Sequence, residues 1–419
     1  MGNRIFGLII ITILLTIIDI YIYRAIRSVS GAWKDKKQLN FKYIWWGYSI
    51  LLIIGVFISI FFNIKFMLRT VILVLFFVTF VSKIFILPFL FADDIRRGII
   101  WIKRKLSWRK NNSNDSTASN AIPRSEFLIK AGTLVAAIPL ASLTYGIVSS
   151  AYDYRVKRQT LHLPNLPASF DGIKLGQISD IHSGSFYDRK SVIGGVQMLL
   201  KEKPDLIFFT GDLVNNIASE MREYQDIFSK IKAPLGVFSI LGNHDYGDYH
   251  FGSEASAAKI RNLKDVKLTH KNMGWTLLLN ENRRLRIGND EIGVLGIENW
   301  GAGRFAKYGR MDLAVKDTDD LPVKLLLSHD PSHWRAQVLP QYPQIDAMFS
   351  GHTHGMQFGL ITEKFKWSPA QYVYKEWAGH YQQENQQLYV NVGYGFLGYP
   401  GRVGILPEIT IFELRRARS

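Results

Sequence analysis

The chain has 419 residues, a formal net charge of +16 and no cysteine. The absence of cysteine excludes disulfides, thiolate nucleophiles and thiolate metal sites, so any bound metal must have nitrogen and oxygen ligands. Residues 1–130 carry 19 Lys and Arg against 6 Asp and Glu, a net charge of +13, whereas residues 131–419 carry only +3. Because the excess lies among long apolar segments, it indicates the flanks of membrane helices, and no nucleic-acid partner is expected.

Apolar segments in residues 1–150 predict about four transmembrane helices, ahead of a soluble domain at residues 151–419. The segments are residues 5–23, 43–62, 71–92 and 127–148. The first contains Asp19 and the third contains Lys83. The fourth segment is rich in Ala, Thr and Ser, and such a segment also resembles a secretion signal; we interpret it as an uncleaved fourth helix.

The distribution of Lys and Arg predicts the orientation of these helices. The loops after the first and third segments are rich in both residues, whereas the N-terminus and the loop after the second segment hold few. Since positively charged loops stay in the cytoplasm, four spans place the domain after residue 150 outside the cytoplasm. If the fourth segment does not span the membrane, the side of the domain reverses.

From about residue 165, short β-rich runs alternate with amphipathic stretches, which predicts an α/β domain with layered sheets. The runs are IKLGQIS, DLIFFT, GVFSIL, IGVLGI, VKLLLS, IDAMFS, LYVNV and EITIFEL.

Polar motifs directly follow five of these runs, where open α/β sheets place their sites. In chain order they are Asp180-Ile181-His182, Gly211-Asp212, Gly242-Asn243-His244-Asp245, His329 and Gly351-His352-Thr353-His354-Gly355. In an extended segment, residues i and i+2 project to the same side, so the two members of each D-x-H or H-x-H motif can reach one centre. One motif alone is weak evidence, but all five together use five of the ten histidines and predict a metal site. Carboxylate, imidazole and amide ligands suit Zn, Mn and Fe.

The ordered pattern D-x-H, G-D, G-N-H-D/E, H and G-H-x-H over residues 165–414 resembles that of the calcineurin-like metallophosphoesterases. With the membrane segments, the chain is similar to the bacterial membrane-anchored branch of that family. The resemblance implies a calcineurin-like layered β-sandwich flanked by helices. It also implies a multi-pass protein of the bacterial inner membrane, which the charge distribution would orient with its catalytic domain on the periplasmic side.

The resemblance further implies two divalent or trivalent metal ions, which could be Mn, Zn or Fe, and a role for each motif residue. Asp180, His182 and His354 would hold the first ion, Asn243, His329 and His352 the second, and Asp212 would bridge them. His244 would act beside the phosphate as an acid or charge stabiliser and be oriented by Asp245. Asn243 would also contact the substrate. Asn215 stands where the family often has a second acidic residue.

Two other features leave alternatives open. Arg402 lies where the branch has a basic residue near its end, so it could contact phosphate or form a structural salt bridge. The segment 364–383 is rich in Trp and Tyr, which could be core residues or a rim that contacts the bilayer or a lipid substrate.

The predicted function is that of a membrane-anchored binuclear phosphohydrolase, which cleaves an envelope phosphoester or lipid-linked phosphate by metal-activated hydroxide. An alternative is a UDP-2,3-diacylglucosamine pyrophosphatase of lipid A synthesis, which requires a site facing the cytoplasm. An alternative of another class is an inactive membrane sensor or scaffold. An inactive protein of this kind would lack one of the metal ligands, and this sequence contains every ligand of the family pattern.

Overall fold

The computed structural model describes residues 2–30, 34–62, 64, 66–108, 122–301, 303 and 305–417. The chain forms two compact units, Met1–Thr144 and Tyr145–Ser419. Most of the loop that follows the third membrane helix, residues 109–121, lies outside the described residues, including Arg109 and Lys110 of the predicted cytoplasmic charge.

Four apolar helices form the first unit, as the sequence predicts. They are α1 (Gly2–Val29), α2 (Asp35–Phe61), α3 (Phe66–Trp108) and α4 (Glu126–Tyr145). Each contains a segment long and apolar enough to cross a membrane, and the fourth such segment continues to Ser150 through a π-helical turn. α1, α2 and α3 are longer than the predicted segments because their polar ends, which the hydropathy pattern leaves out, also favour a helix.

An ion pair inside the first unit explains how charged residues are accommodated in apolar helices. The Nζ of Lys83 in α3 lies 2.5 Å from Oδ1 of Asp19 in α1. The same ammonium group lies 3.4 Å from the Oγ of Ser49 in α2. Because ionisable groups in a bilayer are tolerated mainly when paired, this contact ties the three helices together.

The second unit consists of strands with helices between them. The strands are β1 (Arg155–Leu163), β2 (Lys174–Ile178), β3 (Leu206–Phe209), β4 (Val237–Ser239), β5 (Thr276–Leu277), β6 (Glu281–Ile287), β7 (Asp290–Gly296), β8 (Lys324–Leu327), β9 (Ala347–Ser350), β10 (Leu360–Ile361), β11 (Lys366–Trp367), β12 (Gly379–Gln383), β13 (Gln386–Val390) and β14 (Glu408–Arg416). The helices are α5 (Arg189–Lys201), α6 (Gln225–Phe228), α7 (Asp248–Phe251), α8 (Ala257–Met273), α9 (Met311–Ala314) and α10 (Leu339–Gln341).

These strands form two six-stranded mixed sheets and a small β10–β11 hairpin. The first sheet has the order β1-β14-β2-β3-β4-β5, in which β2 to β5 run parallel. The second has the order β12-β13-β9-β8-β7-β6, in which β13, β9, β8 and β7 run parallel. The parallel strands of each sheet therefore deliver their carboxyl ends to one edge.

Alternating side chains pack the two sheets face to face. In β3, Phe208 enters the core between the sheets, whereas Phe209 packs on the helical side. In β9, Phe349 enters the same core, and its ring centroid lies 5.1 Å from that of Phe208. Helices such as α5 and α8 cover the outer face of the first sheet. The structure thus confirms the predicted layered β-sandwich flanked by helices.

A buried histidine in α8 makes the stability of this unit depend on pH. His270 is fully buried, contacts the rings of Phe209 and Trp275, and has Nδ1 3.0 Å from the Oγ of Ser239. Burial lowers the pKa of His270 to about 3. In the unfolded chain His270 has an ordinary pKa near 6.5. Between about pH 6.5 and 3, His270 is therefore protonated in the unfolded chain and neutral in the folded chain.

We expect acid to weaken the fold below pH 6.5 because the neutral form of His270 is the one that the folded state accommodates. The loss is up to about 1.4 kcal/mol per pH unit for this one group. The variant His270→Phe should show a smaller fall of the unfolding midpoint between pH 6.5 and 5, measured by tryptophan fluorescence on the full chain in detergent. His162→Phe, at an exposed histidine, is the matched control. Equal pH dependence in His270→Phe and wild type would contradict this account.

Candidate metal centre

Six predicted ligands form two clusters at the carboxyl ends of the strands. In the first cluster, one ligand atom from each of Asp180, His182 and His354 lies within 4.8 Å of the others. In the second, the same holds for Asp212, His329 and His352. The clusters combine residues that follow β2 and β3 of the first sheet with residues that follow β8 and β9 of the second.

The loops that carry the ligands adopt unusual backbone conformations. Five predicted ligands have left-handed φ angles between 47° and 71°: Asp180, His182, Asp212, His352 and His354. For residues with a Cβ, such conformations cost of order 1–3 kcal/mol each and concentrate at functional sites. The fold therefore maintains these side-chain directions against local preference.

Glycine allows two of these loops to approach closely. A Cβ on Gly351 would lie 2.1 Å from Oδ2 of Asp180, and one on Gly242 would lie 2.2 Å from Oδ1 of Asp212. Any side chain at either position would displace a predicted ligand.

One carboxylate oxygen faces both clusters. The Oδ2 of Asp212 lies 3.5 Å from Nε2 of His182 in the first cluster and 3.2 Å from Nε2 of His329 in the second. The other oxygen, Oδ1, accepts a hydrogen bond of 2.9 Å from the backbone N–H of His244. This hydrogen bond fixes the carboxylate with its Oδ2 directed at both clusters.

Asn243, the predicted non-ionisable ligand, belongs to the second cluster. Its Oδ1 lies 2.9 Å from Nδ1 of His352, and that nitrogen lies 3.3 Å from Nε2 of His329. Its Nδ2 donates a hydrogen bond of 3.0 Å to the hydroxyl of Tyr249. The amide oxygen thus points toward the imidazoles, and the amide NH2 points away.

Buried nitrogen atoms without hydrogen bonds show that the donor set fits a metal ion. Both ring nitrogens of His182 and Nε2 of His354 are buried without a hydrogen-bond partner among the described residues. Such an orphaned polar atom costs about 1–3 kcal/mol unless another group satisfies it. The Nε2 of His354 lies 3.3 Å from Oδ1 of Asp180, so nitrogen and oxygen donors converge as Zn, Mn or Fe require.

The electrostatics of the clusters also favour a cation. Burial lowers the pKa of His182 to about 3 and also lowers that of His352, so both are neutral imidazoles, the form that binds metals. Burial alone would lower the pKa of His329 as well, but the Asp212 and Asp180 carboxylates and the hydrogen bond to the Thr210 carbonyl together raise the pKa to about 10. The position between His329 and Asp212 therefore stabilises a positive charge.

His244 lies beside the clusters rather than in them. It is partly exposed, and its ring packs edge-on against His182 with the centroids 4.9 Å apart. Its other face stacks on Tyr249, with a centroid distance of 4.4 Å. The Nδ1 of His244 lies 2.7 Å from the backbone carbonyl oxygen of Asn215, which accepts a hydrogen bond from Nδ1–H.

The structure corrects the predicted role of Asp245. Its carboxylate does not orient the ring of His244, because it accepts hydrogen bonds from backbone N–H groups. The donors are Gly242, Asp212, Leu213 and Val214, at 2.8–3.2 Å. Asp245 is fully buried and joins the loops after β3 and β4, so it supports the ligands from behind.

The structure also corrects the predicted phosphate contact of Arg402. The side chain is fully buried, and its guanidinium group donates to backbone carbonyls, among them those of Gly393 and Gly395. Its Nη2 lies 3.3 Å from Nδ1 of His354. Arg402 therefore holds the loop behind a predicted ligand and is inaccessible to substrate.

Two tyrosines contribute to the site without a sequence signal, whereas the family pattern had already singled out Asn215. The hydroxyl of Tyr374 lies 2.7 Å from Nε2 of His352 and fixes the direction of that ring, which Phe305 contacts edge-on at 5.0 Å. Tyr249 supports both His244 and Asn243. The side chain of Asn215 binds Ser185 while its carbonyl holds His244, so the acidic residue common in the family is replaced without loss of this backbone contact.

Comparisons with known proteins identify the families that this chain resembles. Residues 3–151 match the family described as "Probable Calcineurin-like phosphoesterase, transmembrane domain". Residues 173–356 match the family described as "Calcineurin-like phosphoesterase". Both halves of the chain therefore have counterparts in known phosphoesterases.

Three relatives show how far the similarity extends. A transmembrane protein with metallophosphoesterase domain from Danio rerio is 30% identical over 324 residues, which is 75% of this chain and 68% of the relative. The metallophosphoesterase YkuE of Bacillus subtilis is 28% identical over 292 residues, covering 68% of this chain and 94% of the relative. The UDP-2,3-diacylglucosamine pyrophosphatase LpxG of Chlamydia trachomatis is 27% identical over 288 residues, covering 58% of this chain and 83% of the relative. The chain therefore belongs to the calcineurin-like metallophosphoesterases, as a membrane-anchored phosphoester hydrolase.

Proposed function

We propose that the protein hydrolyses a phosphoester of the cell envelope or a lipid-linked phosphate, with two metal ions held by the two clusters. The position of Asp212 Oδ2, within 3.5 Å of ligand nitrogens from both clusters, carries this proposal. A carboxylate oxygen shared in this way suits adjacent cations in a binuclear site.

The donor set assigns the ligands of each ion. Asp180, His182 and His354 would hold one ion, Asn243, His329 and His352 the other, with Asp212 shared. Zn, Mn and Fe all suit these nitrogen and oxygen donors. When bound, two such ions lower the pKa of a water molecule toward neutrality and neutralise the charge that develops on the phosphate.

His244 is positioned to manage a proton beside the phosphate. The Asn215 carbonyl accepts a hydrogen bond from Nδ1–H, so the protonated ring would present its second N–H, on Nε2, for donation to the leaving oxygen. The stack on Tyr249 keeps the ring in this orientation. His244 is also partly exposed, as His352 of the second cluster is, whereas the first cluster is buried, so His244 can meet the leaving oxygen.

The location of the substrate follows from the membrane anchor and the charge of the loops. We place the protein in the bacterial inner membrane, with four spans and the catalytic unit on the periplasmic side. An envelope phosphoester is then the leading substrate. The similarity to LpxG supports the alternative of a UDP-2,3-diacylglucosamine pyrophosphatase, which would need the opposite side. The inactive-scaffold alternative is disfavoured because all seven predicted metal ligands are present and converge.

Metal analysis of the purified full-length protein should find two ions per chain after loading with Mn, Zn or Fe. Asp212→Ala removes the shared oxygen, so we expect it to lose most of both ions and hydrolysis of an aryl phosphodiester to fall at least about 100-fold. Elemental analysis and turnover are measured on the same sample, with His162→Ala as the exposed control. Retention of two ions and full turnover by Asp212→Ala would refute the shared-ligand assignment.

His244→Ala should separate proton transfer from metal binding. We expect both ions to remain while turnover of the aryl phosphodiester falls about 10²–10⁴-fold, because the positioned proton donor is lost. His162→Ala again serves as the control, since its side chain is exposed on β1. Unchanged turnover in His244→Ala would remove the assigned role.

Protease accessibility should show which side of the membrane carries residues 151–419. We expect digestion in cells with a permeabilised outer membrane and an intact inner membrane, because four spans and the positive loops place the unit outside the cytoplasm. Protection until the inner membrane is breached would reverse the orientation. It would also make the UDP-lipid pyrophosphatase the leading function.

A further inference from the structure

Exposed apolar side chains are concentrated directly after the G-H-x-H motif. We define the apolar strip as Met356, Phe358, Leu360, Phe365, Tyr372 and Val373, with exposed fractions between 39% and 77%. These six side chains fall within 18 residues of the chain. A concentration of exposed apolar side chains on a folded unit is typical of an interaction site.

The strip belongs to one folded feature rather than to scattered positions. Leu360 pairs with Trp367 across the β10–β11 hairpin, and the ring of Phe358 contacts that of Trp367 at 6.3 Å. The turn of the hairpin is closed by the hydrogen bond from Thr362 N–H to the carbonyl of Phe365, at 2.8 Å. The following segment is tied back by Ser368, whose hydroxyl donates to the carbonyl of Gly355 at 2.7 Å.

The strip is also connected to the end of the last membrane segment. That segment ends at Ser150, and its residue Gly146 accepts a hydrogen bond of 3.1 Å from the backbone N–H of Arg402. The next residue, Val403, donates to the carbonyl of Gln357 and accepts from the N–H of Gly359, at 2.8 and 2.9 Å. Backbone hydrogen bonds therefore connect Gly146, near the end of the last membrane segment, to Arg402, and connect the adjacent Val403 to the first residues of the strip.

We propose that the apolar strip contacts the surface of the lipid bilayer. Its connection through Arg402 and Val403 to Gly146, near the end of an apolar segment long enough to span a membrane, favours the bilayer over any other partner. The composition agrees, because Tyr372 suits the interface and the exposed Lys364 and Lys375 suit anionic headgroups.

This contact deepens the proposed function, on which its consequence for the substrate rests. The strip begins two residues after His354, a predicted ligand, and Arg402 joins His354 to the segment that contacts Gly146. Arg402 therefore connects the metal centre to the segment that carries the strip. The substrate class is a phosphoester whose apolar part stays in the bilayer while its phosphate reaches the centre.

Single cysteines test the contact on the full chain in lipid nanodiscs, because the natural chain has none. An environment-sensitive fluorophore is attached at Phe365→Cys, Tyr372→Cys and, as an exposed control in the same unit, Lys316→Cys. We expect blue-shifted emission and quenching by nitroxide-labelled lipid at the first two positions, and neither at Lys316→Cys. Emission at the wavelength of a water-exposed fluorophore at all three positions would overturn the proposal. Shielded emission without lipid quenching would overturn it too, and would indicate that a second copy of the chain covers the strip.

A matched pair of substrates tests the consequence. Hexadecyl p-nitrophenyl phosphate inserts into the nanodisc, whereas ethyl p-nitrophenyl phosphate stays in water, and the reacting group is the same. In Leu360→Glu/Phe365→Glu, hydrolysis of the hexadecyl ester should fall about tenfold or more, because two apolar side chains no longer enter the lipid. Hydrolysis of the ethyl ester and the metal content should be unchanged.

Equal loss on both esters would mean that the strip supports the metal centre itself, and would overturn the proposed selectivity. If the wild-type protein hydrolyses neither ester, the proposed function fails, and the quenching measurement alone decides whether the strip contacts lipid.

Discussion

A buried carboxylate behind the metal centre determines the geometry of its other parts. Asp245 accepts hydrogen bonds from four backbone N–H groups on the loops after β3 and β4. Those loops carry Asp212, Asn243 and His244. Burial and the nearby Asp212 carboxylate raise the pKa of Asp245 to about 7, and the four backbone donors partly counter that rise while they hold the two loops together. The shared position of Asp212 Oδ2 therefore depends on a residue that touches no predicted ion.

The β-sandwich supplies the rest of the arrangement. Alternation along β3 and β9 buries one set of side chains between the sheets and another under the helices, so the strand ends are held rigidly. Ligands in left-handed conformations then project from these ends toward one another. The left-handed backbone conformation costs of order 1–3 kcal/mol per residue. Packing of the large buried core stabilises the fold enough to maintain these conformations. The rigid strand ends and strained loops therefore hold the ligand atoms in position without a bound ion.

Much of this site can be predicted from the sequence because strand ends leave a strong local signal. The eight apolar runs correspond to β2, β3, β4, β7, β8, β9, β13 and β14, and the five motifs that follow them converge. The sequence-based errors at the site concern the direction in which a side chain points rather than the place of the residue in the fold. Spacing cannot tell that the carboxylate of Asp245 faces backbone amides, or that the guanidinium group of Arg402 is turned inward. Tyr374 supports a histidine 22 residues away through a contact made only by the folded loops. The short or irregular strands β5, β10 and β11 likewise lack an apolar run that would predict them.

The ion pair between Lys83 and Asp19 has a consequence for biogenesis. The two residues lie on the first and third helices, so ribosomes release Asp19 well before its partner. Insertion of an unpaired aspartate at the centre of a bilayer costs about 2.5–3.5 kcal/mol. We therefore expect the first helix to be less stable in the membrane until the third helix has been inserted. The third helix therefore supplies the ion-pair partner of a residue that was synthesised two helices earlier.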